Sequence, residues 1–152
     1  MSHEEILKAN EVYHDVEAGA YDATMPYIRN SFAQAIFNAD IATIMGLLKH
    51  AQKPLSVLDC GAGTGNLTLL KFLALGCAVT AVDISRGMLE RLRGKVSKAD
   101  ESRLQIVHGD VDTSWNGRPN GLTSFAHQAS YIICQITWPL TGTLSAFVRM
   151  RE

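Results

Sequence analysis
The chain has 152 residues, 47% of them hydrophobic and 19% charged, with a formal net charge of −1. This composition suits a folded chain with a real core and excludes a disordered one. A net charge so near zero provides no field to draw in nucleic acid or an anionic membrane surface.

The first ten residues are polar and carry Glu4 and Glu5, so they are not a secretory signal. Ile6 to Val16 has helical apolar spacing interrupted by many polar residues, which predicts a surface helix. Gly19 to Pro26 punctuates it. Ile28, Phe32, Ala35, Ile36 and Ala39 mark one face of a second helix, which Ile44, Leu47 and Leu48 extend to His50, with a break or bend expected at Asp40. Lys53-Pro54 stops that section. The apolar run Leu55 to Leu58 then reads as a buried strand, followed by a glycine-rich turn and an amphipathic helix, Leu67 to Leu75, closed by Gly76. Val79 to Asp83 is the second strand. Ser85 is the expected cap of a helix running to about Lys98, with Met88, Leu89, Leu92 and Val96 on its apolar face. Leu104 to Val107 is the third strand, Thr113 to Ser124 a loop, Tyr131 to Cys134 the fourth strand, and Leu144 to Met150 a following helix. Strands separated by helices imply parallel pairing. No run approaches the roughly 18 apolar residues of a bilayer span.

Cys60, Cys77 and Cys134 have neither the number nor the spacing of a disulfide framework or a metal site. They read as small buried residues in a reducing compartment, so a cytoplasmic location and no metal are expected. Residues 1–50 hold three basic and seven acidic residues, and the remainder eleven and eight. The basic group Arg86, Arg91, Arg93, Lys95, Lys98 and Arg103 is interleaved with Glu90, Asp100 and Glu101, and reads as a solvated helix face rather than an anion-binding patch.

The chemistry concentrates at Asp59-Cys60-Gly61-Ala62-Gly63-Thr64-Gly65-Asn66. Strand, glycine turn, helix is the layout that brings backbone close to a nucleotide-like ligand, because glycine removes the side chain that would block it. A second apolar strand ends in Asp83, twenty positions beyond Gly63, where a ribose needs a hydrogen-bond acceptor. The residues therefore point to an adenosine site. A dinucleotide fingerprint requires glycine or alanine where Asn66 stands, and a phosphate-binding loop requires a Gly-Lys-Ser/Thr ending that is absent.

The segment Leu58 to Gly65 resembles the first motif of the class I S-adenosylmethionine-dependent methyltransferases. Val82-Asp83-Ile84-Ser85, followed by Met88-Leu89, resembles the second, and His108-Gly109-Asp110-Val111 the third. The likeness runs roughly from Lys53 to Cys134. It implies an α/β fold: a Rossmann-like parallel sheet flanked by helices, in one domain. Residues 1–53 would form a helical N-terminal cap, and residues 54–152 an incomplete cofactor-binding core lacking the C-terminal strands of the seven-stranded fold. The exposed sheet edge is then expected to be covered by self-association or by a partner chain.

The same resemblance implies the cofactor S-adenosylmethionine and assigns roles. Gly61, Ala62, Gly63 and Gly65 would pack against its ribose and methionine portion, and Asp59 would favour its ammonium group. Asp83 would accept from the ribose hydroxyls. Asp110 would accept from the adenine amino group, with Ile84 and Val111 against the ring faces. Tyr13 and the pair Tyr21-Asp22 resemble the tyrosine-bearing cap of small-molecule methyltransferases, where an aromatic face attracts a sulfonium. His14, His108 and His127 are the histidines available as a base, and no catalytic residue is singled out. Gln135 to Leu140 departs from the Asn/Asp-Pro-Pro-aromatic motif of amino-methyltransferases acting on DNA bases and on protein glutamine, which argues against that branch. A small-molecule acceptor is the expectation because the sequence shows no basic nucleic-acid face or peptide groove. An inactive cofactor- or partner-binding module is the alternative reading, and a nicotinamide-dependent oxidoreductase is disfavoured by Asn66 and Asp59.

Overall fold
The computed structural model describes residues 2–50, 54–66, 69–110 and 131–134. Within them a helical N-terminal part leads into a sheet with helices: α1 (His3–Glu17), α2 (Tyr21–Thr24), α3 (Pro26–Arg29), α4 (Ser31–Leu47), β1 (Ser56–Cys60), α5 (Leu69–Ala74), β2 (Ala78–Asp83), α6 (Arg86–Lys95), a 3₁₀ turn (Glu101–Arg103), β3 (Leu104–His108) and β4 (Tyr131–Cys134). The four strands lie in the order β3-β2-β1-β4. All the pairings are parallel, with Val57 opposite Val79 and Tyr131, and Val79 opposite Leu104. The chain thus builds outward from β1 to β3 and then returns to the other side of β1. That reversal creates a crevice at the carboxyl ends of the strands, where ligands bind in such sheets. The expected Rossmann-like parallel sheet is borne out.

Local signals account for most element ends. Ser85 Oγ accepts from the Met88 amide at 3.1 Å and starts α6. At the end of α5 the Gly76 amide donates to the Leu73 carbonyl and the Cys77 amide to the Phe72 carbonyl, the paired bonds of a glycine-terminated helix. Two strand ends extend past the apolar runs, because parallel pairing continues through Cys60↔Val82 and Asp83↔His108.

The helical N-terminal part differs from expectation in three respects. Inside the Gly19–Pro26 punctuation lies the short helix α2. The break falls at Asn30, whose side chain accepts from the Phe32 and Ala33 amides and caps α4, while Asp40 lies within an unbroken helix. The predicted apolar face is also rotated. Phe37, Ile41 and Leu48 are buried, whereas Phe32 is 74% and Leu47 60% exposed. Apolar residues surround α4, so periodicity alone does not select which stripe meets the sheet.

The core gathers Leu55, Val57, Leu69, Phe72, Leu73, Val79, Ala81 and Leu92 between sheet and helices. Met88, Leu89 and Leu92 bury the predicted face of α6. Cys60 and Cys77 are both buried. No helix among the described residues is long and apolar enough to cross a membrane. The loop 113–124, the segment 135–140, the helix expected at 144–150, and Leu67 lie outside the described residues.

Helix α1 buries no residue, so polar tethers hold it to the body. Asp15 Oδ1 accepts from Ser85 Oγ at 2.7 Å and from the Gly87 amide at 2.8 Å, which places a carboxylate at the positive end of α6. These bonds, the serine's first, hold its carboxyl below the usual aspartate range. Losing such a cap costs about 1 kcal/mol, and Asp15→Ala is expected to destabilise the fold by that amount in urea unfolding at pH 7. A depressed folded value means that the contribution is complete above the unfolded pKa of about 3.9. The gap between wild type and variant should therefore shrink as pH falls through the lower folded value.

Candidate functional site
A cavity of about 410 Å³ opens at the carboxyl ends of β1, β2 and β3, beneath the N-terminal helices. Its floor is the turn from Gly61 to Asn66, its far wall Asp83, Ile84, Gly109 and Asp110, and its roof comes from Leu7, Asn10, His14, Tyr21 and Ile28.

The turn is held from below. The Gly61 and Ala62 amides both donate to the Val82 carbonyl, at 2.8 and 3.0 Å, and the Gly65 amide donates to the Ala62 carbonyl at 2.9 Å. The Gly63 amide donates to Asp83 Oδ2 at 2.7 Å. Four amides of the turn are therefore engaged within the protein. A pyrophosphate is gripped by such amides, so this turn presents a bare backbone surface rather than an anion cradle. Gly63 has φ +52° and lines the cavity, and a Cβ built on it meets nothing within 4 Å. Gly65, at φ +78°, turns instead toward the core, where a Cβ would meet Leu92 Cδ1 at 2.5 Å.

Asp83 is 8% exposed and lines the cavity. Its Oδ2 receives the Gly63 amide, and its Oδ1 the Ser85 amide at 2.8 Å. A carboxylate accepts about four hydrogen bonds, so each oxygen keeps acceptor capacity while the side chain is locked in place. Asp110 lines the cavity across from it, on the residue following the β3 end and Gly109. Ile84 lines it as well, and Val111 lies outside the described residues. Asp59 is placed differently from expectation. It is 1% exposed, sits within β1 opposite Ala81 and Ile133, and does not line the cavity. The strand runs on to Cys60, which keeps Asp59 below the turn rather than at its rim.

Of the two tyrosines proposed for the cap, Tyr21 lines the cavity. Tyr13 is 58% exposed and donates to Glu17 Oε1 at 2.6 Å, away from the cavity, and that carboxylate pushes its phenol up. His14 lines the cavity, with Nδ1 3.5 Å from Glu17 Oε2. His108 holds its Nε2 2.9 Å from the Ile84 carbonyl, and as the Nε2–H tautomer donates there. His127 lies outside the described residues.

Sequence reasoning missed the rest of the roof. Leu7, Asn10 and His14 fall at i, i+3 and i+7 of α1, one helical face, and that spacing was the available signal. It also missed the bonds joining cap to body: Asp15 to Ser85, and Asp22 to Thr64 at 2.5 Å. These pairs are 70 and 42 residues apart and leave no local pattern.

The methyltransferase domain family matches residues 57–143. The malonyl-(acyl-carrier protein) O-methyltransferase of Priestia megaterium is 32% identical over 115 residues, 74% of this chain and 36% of that protein. The chain thus spans about a third of the length of the curated relative it matches. Among solved structures, the magnesium protoporphyrin IX methyltransferase of Synechocystis, determined with bound S-adenosylmethionine, superposes with a TM-score of 0.58 at 16% identity, over 85% of this chain and 61% of that one. The CcbJ methyltransferase of Streptomyces caelestis gives 0.55 at 21%, over 82% and 43%. At those identities the two structures show a shared fold.

Proposed function
Since the chain belongs to the methyltransferase domain family, matched over residues 57–143, we propose that its cavity binds S-adenosylmethionine and that the protein serves methyl transfer to a small-molecule acceptor. One observation carries this reading: Asp83, locked by two backbone amides, faces a cavity whose glycine floor has its own amides engaged. That arrangement suits a ribose and a zwitterionic tail and ill suits the pyrophosphate of a nicotinamide dinucleotide. The volume of about 410 Å³ lies within the roughly 300–1,000 Å³ of small-molecule sites. The space over Gly63 is where a Cβ could stand and a ligand can lie instead.

The residues present fit the cofactor. Asp83 accepts from the ribose hydroxyls, Asp110 from the adenine amino group, and Ile84 covers a ring face. Gly61, Ala62, Gly63 and Gly65 form the packing surface beneath. Tyr21 in the roof would supply the aromatic ring that attracts a positive sulfonium. Asp59, buried under the turn, supports the strand end from which the turn springs. When bound, the cofactor supplies a methyl group already activated by the sulfonium. The protein's part is then orientation, exclusion of water, and a roof that closes over the reacting centre. His14 lines that roof, which supports giving it the role of holding an acceptor's proton. The net charge of −1 favours a small acceptor over a polyanion. Three cysteines without the number or spacing of a disulfide framework, Cys60 and Cys77 among them buried, suit a reducing compartment, and we place the protein in the cytoplasm.

Calorimetric titration of residues 1–152 with S-adenosylhomocysteine tests the reading. Saturable one-site binding, unaffected by NAD in competition, is expected. A folded, monodisperse chain that gives no heat and no thermal shift would leave the scaffold reading, and displacement by NAD would restore the oxidoreductase one. Binding without transfer across a panel of small acceptors would identify a cofactor-binding module.

A further inference from the structure
Helix α2 is four residues long, too short to hold itself in water, yet it carries Tyr21 in the cavity roof. The tethers of α1, through Asp15 and through Glu11 beside His108, act on the preceding helix. A triangle of groups from three separate elements fastens α2 to the glycine turn and to α6. Asp22 accepts from Thr64 Oγ1 at 2.5 Å through Oδ1, and Lys95 ion-pairs with its Oδ2. Lys95 Nζ also donates to the Thr64 carbonyl at 3.0 Å and closes the figure.

The three corners have unequal access to the ligand. Thr64 lines the cavity floor, and Asp22 neighbours Tyr21 of the roof. Lys95, at the end of α6, does not line it. The triangle is partly withdrawn from water, with 25% of the Lys95 side chain and 37% of the Asp22 side chain exposed and Thr64 2% exposed as a residue. Charge-assisted bonds in that setting hold better than an open surface pair.

We propose that Lys95 is a positioning residue for the methyl donor. By binding Asp22 and the Thr64 carbonyl together, it sets the distance between the Tyr21 roof and the glycine floor, and so controls how firmly a bound donor is clasped. The inference rests on the donor-binding reading above.

Stopped-flow kinetics with S-adenosylhomocysteine tests it on wild type, Lys95→Met, Asp22→Asn, the double variant and Lys95→Arg, with circular dichroism and thermal melts to report foldedness. Lys95→Met should release the ligand about 10-fold faster, with association nearly unchanged, as expected for loss of one coupled contact set. Asp22→Asn should do the same. The double variant should be no faster than either single, because both remove one clasp, and Lys95→Arg should restore most of the slow release. A lower melting temperature with unchanged release from the folded molecules would overturn the proposal, as would additive effects of the two substitutions. Ligand bound by wild type and released at the same rate by Lys95→Met would overturn this inference alone. Failure of wild type to bind would overturn the donor reading and this inference with it.

Discussion

Asp83→Ala should lower the affinity for S-adenosylhomocysteine by at least about 100-fold, since each charge-assisted hydrogen bond contributes about 1.5–3 kcal/mol and a tenfold loss corresponds to 1.4. Two such bonds to the ribose hydroxyls are at stake. The loss has a second source, because the same carboxylate receives the Gly63 amide at 2.7 Å and the Ser85 amide at 2.8 Å. Removing it frees the glycine floor and the start of α6 together and leaves two backbone donors without their acceptor, at about 1–3 kcal/mol each where they stay dry. Asp83→Asn reduces the second source to one of the two backbone donors. It keeps the shape and one acceptor oxygen, so it should stay folded while still losing affinity. Calorimetry beside circular dichroism reads both effects. Affinity within threefold of wild type in a folded Asp83→Ala would show that the cavity does not hold a ribose in this way.

The second large effect divides the glycines of the turn. Gly65→Ala should destabilise the fold by about 2–5 kcal/mol in urea unfolding. A left-handed backbone costs a residue with a Cβ roughly 1–2 kcal/mol, and overpacking a core about 1–3 more. Gly65 has φ +78°, and its new Cβ would stand 2.5 Å from Leu92 Cδ1 and 3.6 Å from Leu69 Cδ2. Leu92 and Leu69 are fully buried, so neither can swing aside into solvent. Gly63→Ala meets only the backbone penalty, about 1–2 kcal/mol, because nothing lies within 4 Å of its Cβ. That methyl would instead occupy the cavity floor, so Gly63→Ala should remain folded and bind S-adenosylhomocysteine far more weakly. Equal stability of the two variants would refute this division, and so would wild-type binding by Gly63→Ala.

The division also shows why the G-x-G-x-G spacing is informative. Gly61, Gly63 and Gly65 all have positive φ, yet one faces ligand space and another the core. The motif could be recognised from its letters, but the separate task of each glycine depended on where Leu92 of α6 came to rest. Asp59 illustrates the same limit. The resemblance implied a carboxylate beside the ligand's ammonium group, whereas pairing of β1 on both sides carried the strand one residue further and left Asp59 buried within it, outside the cavity lining.

What the sequence by itself determined was what short-range physics encodes. The parallel strands, the acid ending β2, the glycine floor, the Ser85 cap and the Gly76 helix end each follow from a few neighbouring residues whose backbone preferences or hydrogen bonds are satisfied locally. Tertiary structure alone decided the buried stripe of α4, because an apolar surface on every side leaves the choice to whatever the helix meets. It alone closed the roof as well. Asp15 finds Ser85 across 70 residues, Asp22 finds Thr64 across 42, and Lys95 reaches Thr64 across 31. Contacts of that kind depend on the sheet holding its carboxyl ends together, so no stretch of sequence carries their pattern.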